Sequence, residues 1–138
     1  MATAADAEVV LRLYELRREE TLRKARHFMV FAFRPKTLEE LRAVSRDIAA
    51  ADNAAWRQAL SYWEMAASLV LRGAVDADVF LDSNGEGILL YAKFHHFHAE
   101  TEKDSGNIFM KHTAALIAQY PEAKVLYEKF LPMFGPKT

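Results

Sequence analysis

The pattern of apolar and polar positions along the chain is helical over most of its length. Apolar residues recur at spacings of three and four, which is the repeat of one face of an α-helix. Four segments with this repeat have both ends marked: about 4–33, Asp52–Asn53 to Gly73, 107–119 and 121–131. Three further segments begin at Thr37, at Asp76 and near Glu86. The pattern predicts an all-α fold of about six helices, in which three long helices form an antiparallel bundle.

Residues at the ends of these segments support the assignment. Thr37 at an N-cap, with Glu40 three residues later, is a capping box. Either residue of Asp52–Asn53 is a good N-cap for the third segment, and Gly73 follows its last apolar residue, as is common after a helix. These residues predict where the second and third helices begin and where the third ends.

One stretch allows a different structure. The apolar runs 78–82 and 88–92 flank a Ser-Asn-Gly turn, which is also typical of a β-hairpin. The alternative is therefore an α+β fold with a small hairpin around residues 77–93.

Composition limits the classes of function. The chain has 138 residues, 51% of them hydrophobic, a net charge of −1 and no cysteine. It therefore has neither disulfides nor a thiolate nucleophile, and its charge attracts neither nucleic acid nor anionic lipid. The N-terminus has no secretory signal pattern, and the longest apolar run, 28–33, is too short to cross a membrane. We expect one soluble, cytoplasmic domain over residues 1–138 that needs no cofactor.

A resemblance rests on residues 62–70, Tyr-Trp-Glu-Met-Ala-Ala-Ser-Leu-Val, which are followed by Gly73, Asp76 and Phe80. With residues 13–17 and the pairs Trp56-Arg57 and Gly85-Glu86, this stretch resembles a group of short bacterial all-helical proteins of unknown function. The resemblance covers roughly residues 10 to 100. It implies a helical fold and a bacterial source, and it implies no activity.

The histidine-rich stretch 94–102 contains the candidate metal ligands. On a continuous helix His95, His98 and Glu102 share one face, and these residue types bind zinc or iron. No Glu-x-x-His and no His-Glu-x-x-His occurs in the chain, so the usual di-iron and zincin patterns are missing. The alternative is that these residues border a core stripe formed by Phe94 and Phe97.

Glu64 is the candidate catalytic residue. It shares one side of the third helix with Arg57, Ser61 and Ser68, and a carboxylate held in such surroundings can act as an acid or a base. The alternative is a solvated face or a structural ion pair, because no nucleophile or second base accompanies it.

The region Arg17–Lys36 contains seven cations and two glutamates, which makes it a candidate for binding nucleic acid. The cations are spread around the helix, and no known nucleic-acid-binding motif is present, so a solvated surface is the alternative.

The end of the chain is rich in apolar side chains: Tyr127, Phe130, Leu131, Met133 and Phe134. A short helix buries only one stripe of its side chains against its own domain, so we expect the remaining apolar surface to form a homodimer interface. The alternative is that the C-terminal segment folds back over the bundle and buries these side chains within one chain.

These signals give three hypotheses. The first is a non-catalytic interaction or structural protein that self-associates. The second is a helical enzyme that binds a metal or small ligand at His95, His98 and Glu102. The third is nucleic-acid binding through Arg17–Lys36.

Overall fold

The computed structural model describes residues 1–135, which form nine α-helices and no strand. The helices are α1 (Ala4–Arg17), α2 (Glu20–His27), α3 (Leu38–Ser45), α4 (Asn53–Leu71), α5 (Ala77–Ser83), α6 (Glu86–Lys93), α7 (His98–Ser105), α8 (Lys111–Gln119) and α9 (Pro121–Phe130). The helix content of 76% confirms the all-α prediction. The hairpin alternative is wrong, since α5 and α6 occupy residues 77–93.

The prediction of about six helices is an undercount, and its first cause is a break in the N-terminal segment. The chain leaves helical geometry at Glu19, whose carboxylate accepts the backbone N–H groups of Thr21 at 3.0 Å and Leu22 at 2.9 Å. These bonds cap a new helix, α2, which continues into a π-helical turn over Phe28–Ala32. Glutamate is an uncommon N-cap, so residue types alone do not predict this break.

A second break falls inside the histidine-rich stretch. α6 ends at Lys93, the 3-10 turn His95–Phe97 follows, and α7 begins at His98. The shared face expected for the candidate metal ligands requires one continuous helix with 100° per residue. A 3-10 turn advances by a different angle, so the helical projection does not apply here.

One long helix, rather than three, organises the core. Among the nine helices only α1 and α4 exceed ten residues, and α4 packs against α2, α3, α6 and α8. The buried apolar face of α4 consists of Trp56, Ala59, Tyr62, Trp63, Ala66, Ala67 and Val70. The alanines let neighbouring helices approach closely, while the aromatic rings supply most of the buried area.

The predicted helix ends are largely confirmed. Thr37 Oγ1 accepts the N–H of Glu40 at 3.1 Å, although the Glu40 carboxylate accepts the N–H of Lys36 rather than that of Thr37. Gly73 follows α4 with a φ of +76°, a left-handed conformation that glycine adopts without strain. Pro121 occupies the first turn of α9, where its missing N–H costs nothing.

A polar cluster ties α2, α4 and α6 together. The Arg26 guanidinium forms two bonds to the Glu86 carboxylate, at 2.7 and 2.9 Å, and the Trp63 indole N–H donates to the same carboxylate at 2.9 Å. Arg26 also donates to the carbonyl of Arg17 at 3.1 Å, close to the break between α1 and α2. We call Arg26, Glu86 and Trp63 the Arg26 cluster.

No helix in residues 1–135 is long and apolar enough to cross a membrane. Even the longest, α4, has Arg57, Gln58 and Glu64 along its length.

Candidate functional site

A groove of about 610 Å³ opens between α3, α4 and the segment that leads from α7 into α8. Its base consists of buried side chains, Leu41, Trp56, Phe109 and Met110. Ile48 and Ile108, which are 79% and 61% exposed, also line it. The groove thus combines an apolar base with exposed apolar side chains at its edge, a combination typical of ligand sites.

The spacing of residues on α4 explains one wall. Positions 53, 56, 57, 60, 61 and 64 line the groove, and steps of three and one place them on one face of the helix. The other lining residues come from α3 with the loop after it and from residues 101–111. Residues far apart in sequence therefore meet at this groove because α4 packs against both α3 and α8.

One charged pair joins α3 to α7 across the groove. Arg42 donates to both oxygens of Asp104, at 2.7 and 2.8 Å, and Arg46 lies 3.5 Å from the same carboxylate. The hydrogen bond from Arg42 lowers the pKa of Asp104, and the same bond raises the pKa of Arg42. Asp104 therefore stays ionised and serves to hold the two helices together.

Arg57 is held differently. Its Nε donates to Oδ1 of Asn53 at 2.7 Å, and Asn53, which is 1% exposed, donates its own Nδ2 to the Val44 carbonyl at 2.7 Å. The Val44 bond fixes which way the amide faces, so the amide oxygen must point to Arg57. Within the described chain, the terminal nitrogens of Arg57 form no hydrogen bond or ion pair with another residue.

Glu64 lies in the groove lining and caps α8. Its carboxylate accepts the N–H groups of His112 and Thr113, both at 2.9 Å, and the Thr113 hydroxyl at 2.7 Å. The residue before α8, Met110, has a left-handed φ of 46° and provides no side-chain cap. Glu64 therefore supplies from α4 the acceptor that the start of α8 lacks, and its charge suits a helix N-terminus.

The model of a family described as a domain of unknown function, DUF4760, matches residues 2–120. The chain belongs to this family. The groove, whose lining runs from Leu41 to Lys111, falls entirely within the match, whereas α9 follows it. This agrees with the resemblance to helical proteins of unknown function. No curated protein and no solved structure matches the DUF4760 chain significantly.

The candidate metal ligands of this DUF4760 chain bond to the backbone. Nε2 of His98 lies 2.8 Å from the Tyr91 carbonyl, and Glu102 accepts the N–H of Phe109 at 3.2 Å. His95 Nε2 lies 3.3 Å from the carbonyl of Gly135. Across residues 1–135 no three metal-ligating side chains are arranged to hold a metal ion.

The basic region of the DUF4760 chain also contributes bonds within the fold. Arg26 belongs to the Arg26 cluster, Arg17 donates to Asn84, and Lys24 lies 2.9 Å from Glu20. Arg57 lies on the same side of α4 as Glu64, but the sequence alone does not mark it as a functional residue. The signal available was the Asn53–Arg57 spacing of four, which lets the amide reach the guanidinium.

Proposed function

We propose that this chain is a non-catalytic binding protein and that the groove binds the apolar part of a small molecule. The observation that carries the proposal is the groove itself, whose buried aromatic and aliphatic base is continuous with the exposed Ile48 and Ile108. Its volume of about 610 Å³ lies within the usual range for small-molecule sites, about 300–1,000 Å³.

The bonding of the groove's carboxylates supports binding rather than catalysis. An acid or base must be able to exchange its proton with a substrate. Glu64 receives three hydrogen bonds at the start of α8, and Asp104 receives two from Arg42. Both groups therefore already have structural partners.

A titration with octanol, a neutral probe with an apolar chain, tests the proposal. We expect backbone amide signals in a ¹H–¹⁵N NMR spectrum to shift for residues that line the groove and to stay in place elsewhere. Ser61→Trp should abolish these shifts, because Ser61 is an exposed position of the groove wall that a large ring would fill. Gln58→Trp is the matched control, since Gln58 is also exposed on α4 but does not line the groove.

Two results would overturn the proposal. One is the absence of any saturable shift with octanol and with charged probes of similar chain length. The other is equal loss of binding in Ser61→Trp and Gln58→Trp, which would place the binding surface outside the groove.

We also propose that two copies of the chain associate along α9. Leu126, Tyr127 and Phe130 pack against the core, which leaves a smaller apolar surface than the sequence indicates. Val125 and Met133 remain 64% and 66% exposed and supply the motive for association. A two-fold dimer is the commonest assembly that covers such a surface.

Sedimentation equilibrium at micromolar concentration tests the dimer. We expect twice the chain mass for the wild type and a monomer for Val125→Lys, which places a charge in the interface. Lys124→Ala is the control, because Lys124 is exposed on the same helix and its removal adds no charge. A monomeric wild type would refute self-association, and a dimeric Val125→Lys would refute this interface.

A further inference from the structure

The groove has a positive net charge, although the chain as a whole has a slightly negative one. Its lining contains four cations, Arg42, Arg46, Arg57 and Lys111, and two carboxylates, Glu64 and Asp104, which leaves a local charge of +2. The whole chain has a net charge of −1. A cleft with apolar walls and an excess of one charge concentrates ligands of the opposite charge.

The two carboxylates do not neutralise all four cations. Asp104 pairs with Arg42 and Arg46, and Glu64 is bonded to the first residues of α8. Arg57 and Lys111 have no ion pair with any residue in the range 1–135. Each side of the groove therefore keeps one excess positive charge. On the side that α4 and the start of α8 form, this excess belongs to two cations that have no ion pair within residues 1–135.

Arg57 presents its guanidinium in a defined orientation. Its Nε is bonded to Asn53, so the side of the guanidinium that includes Nε is occupied. The two terminal nitrogens, Nη1 and Nη2, keep four N–H donors and form the end of the planar fork. That end matches the two oxygens of a carboxylate, which it binds through two parallel hydrogen bonds.

We propose that the ligand of the groove is an amphipathic carboxylate, whose apolar body lies on the groove base and whose carboxylate binds the terminal nitrogens of Arg57. Lys111 adds positive charge from the start of α8. This inference rests on the proposed function, because it names the class of molecule that the same groove binds. A free small-molecule carboxylate is the occupant, since one oriented guanidinium beside an apolar base fits one head group and one chain.

Octanoate, octanol and octylammonium test this inference because each has eight carbon atoms in an unbranched chain and they differ in charge. We expect octanoate to bind wild-type protein about tenfold more tightly than octanol, as charge-assisted hydrogen bonds favour the carboxylate. Octylammonium should bind more weakly than octanol. Dissociation constants come from the same NMR titration.

Arg57→Gln should remove the preference for octanoate. We expect its affinity for octanoate to fall about tenfold, to that for octanol, and its affinity for octanol to stay within twofold of the wild-type value. Arg12→Gln is the matched control, because Arg12 is exposed on α1 and does not line the groove. That variant should keep the tenfold preference.

The outcomes separate the two proposals. If octanol and octanoate bind equally well in the groove, the carboxylate assignment is overturned and the proposed function stands. If the preference for octanoate survives in Arg57→Gln, the head group does not bind Arg57. If none of the three probes binds, the proposed function fails and this inference fails with it.

Discussion

Arg26 and Arg57 are both attached to helices of the core, yet their guanidinium groups have opposite surroundings. Arg26 forms two bonds to a carboxylate, Glu86, that also accepts the Trp63 indole N–H, and it donates a further bond to the Arg17 carbonyl. Arg57 forms one bond, to the neutral amide of Asn53, at the edge of a groove.

The difference shows which kind of partner leaves an arginine able to bind a ligand. A carboxylate neutralises the guanidinium and occupies two of its donors, so Arg26 has a structural role. An amide orients the guanidinium and leaves its charge in place. Arg57 is therefore positioned for an anion that residues 1–135 do not provide.

The largest expected effect is on the Arg26 cluster. Glu86→Gln leaves the mostly buried Arg26 without a counter-charge, and loss of one partner of a buried pair is strongly destabilising. Because both side chains keep some solvent contact, we expect a loss of about 2–3 kcal/mol in the free energy of unfolding, measured with urea.

Arg57→Gln is the comparison for that measurement. It removes an exposed guanidinium that has no carboxylate partner among the residues the structure describes, so we expect a change within about 0.5 kcal/mol. Equal losses for Glu86→Gln and Arg57→Gln would contradict the distinction between the two arginines.

A substitution of Glu64 tests whether its carboxylate has the structural role of capping α8. Glu64→Gln keeps an acceptor but removes the charge from the start of α8, and we expect a loss of about 1 kcal/mol in unfolding free energy. Glu8→Gln, at an exposed position of α1, should change stability by less than about 0.5 kcal/mol. An unchanged stability of Glu64→Gln would argue against the capping role.

Ser61→Glu would give Arg57 a carboxylate partner, as Glu86 is for Arg26. Ser61 follows Arg57 by four residues on α4, so a glutamate there reaches the guanidinium. We expect the preference for octanoate over octanol to fall about fivefold, because the new carboxylate competes for the same donors. Ser61→Gln has the same shape without the charge, and a similar fall in that variant would attribute the effect to bulk.

The smallest expected effect concerns a third cation, Lys93, which donates to the carbonyls of Met29 and Val30 in the π-helical turn. Burial, with a smaller contribution from the charge of Arg34, lowers the pKa of Lys93 to about 8. Above that pH the unfolded chain, with an ordinary lysine pKa, binds more protons than the folded chain. Stability should therefore rise with pH above about 8, as the linkage relation requires.

Urea unfolding between about pH 7.5 and 9.5 measures this rise, which we expect to stay below about 1 kcal/mol because Lys93 is only partly buried. Tyr62, Tyr91 and Tyr127 have raised pKa values and oppose the rise only at higher pH. Lys93→Gln keeps a donor and cannot titrate, so it should lack the rise. A rise of the same size in that variant would assign it to another group.

The fold class followed from periodicity, because the buried face of α4 repeats every three to four residues. The positions of the helix breaks did not follow from periodicity, because each break depends on a local hydrogen bond or turn. Glu19 caps α2 with a carboxylate, and a 3-10 turn at His95–Phe97 separates α6 from α7. Apolar spacing alone does not report either feature.

The site was harder to predict because its contacts join distant residues. Glu64 was identified as a candidate, but two of its three hydrogen bonds come from the backbone N–H groups of His112 and Thr113, about fifty positions away, and the third comes from the Thr113 hydroxyl. Backbone groups have no sequence signature, so an acid or base and a helix cap look alike in the sequence. The role of Arg57 is visible only in the structure, where Asn53 holds its guanidinium and no carboxylate within residues 1–135 does.

The most direct test of the groove compares the two tryptophans while octanoate is added. Trp56 lines the groove, whereas the Trp63 indole is bonded to Glu86 in the Arg26 cluster. In ¹H–¹⁵N NMR spectra we expect the Trp56 indole and Arg57 Nε signals to shift saturably and the Trp63 indole signal to stay in place. Shifts of equal size for both indoles, or no shift of Trp56 and Arg57, would contradict the account.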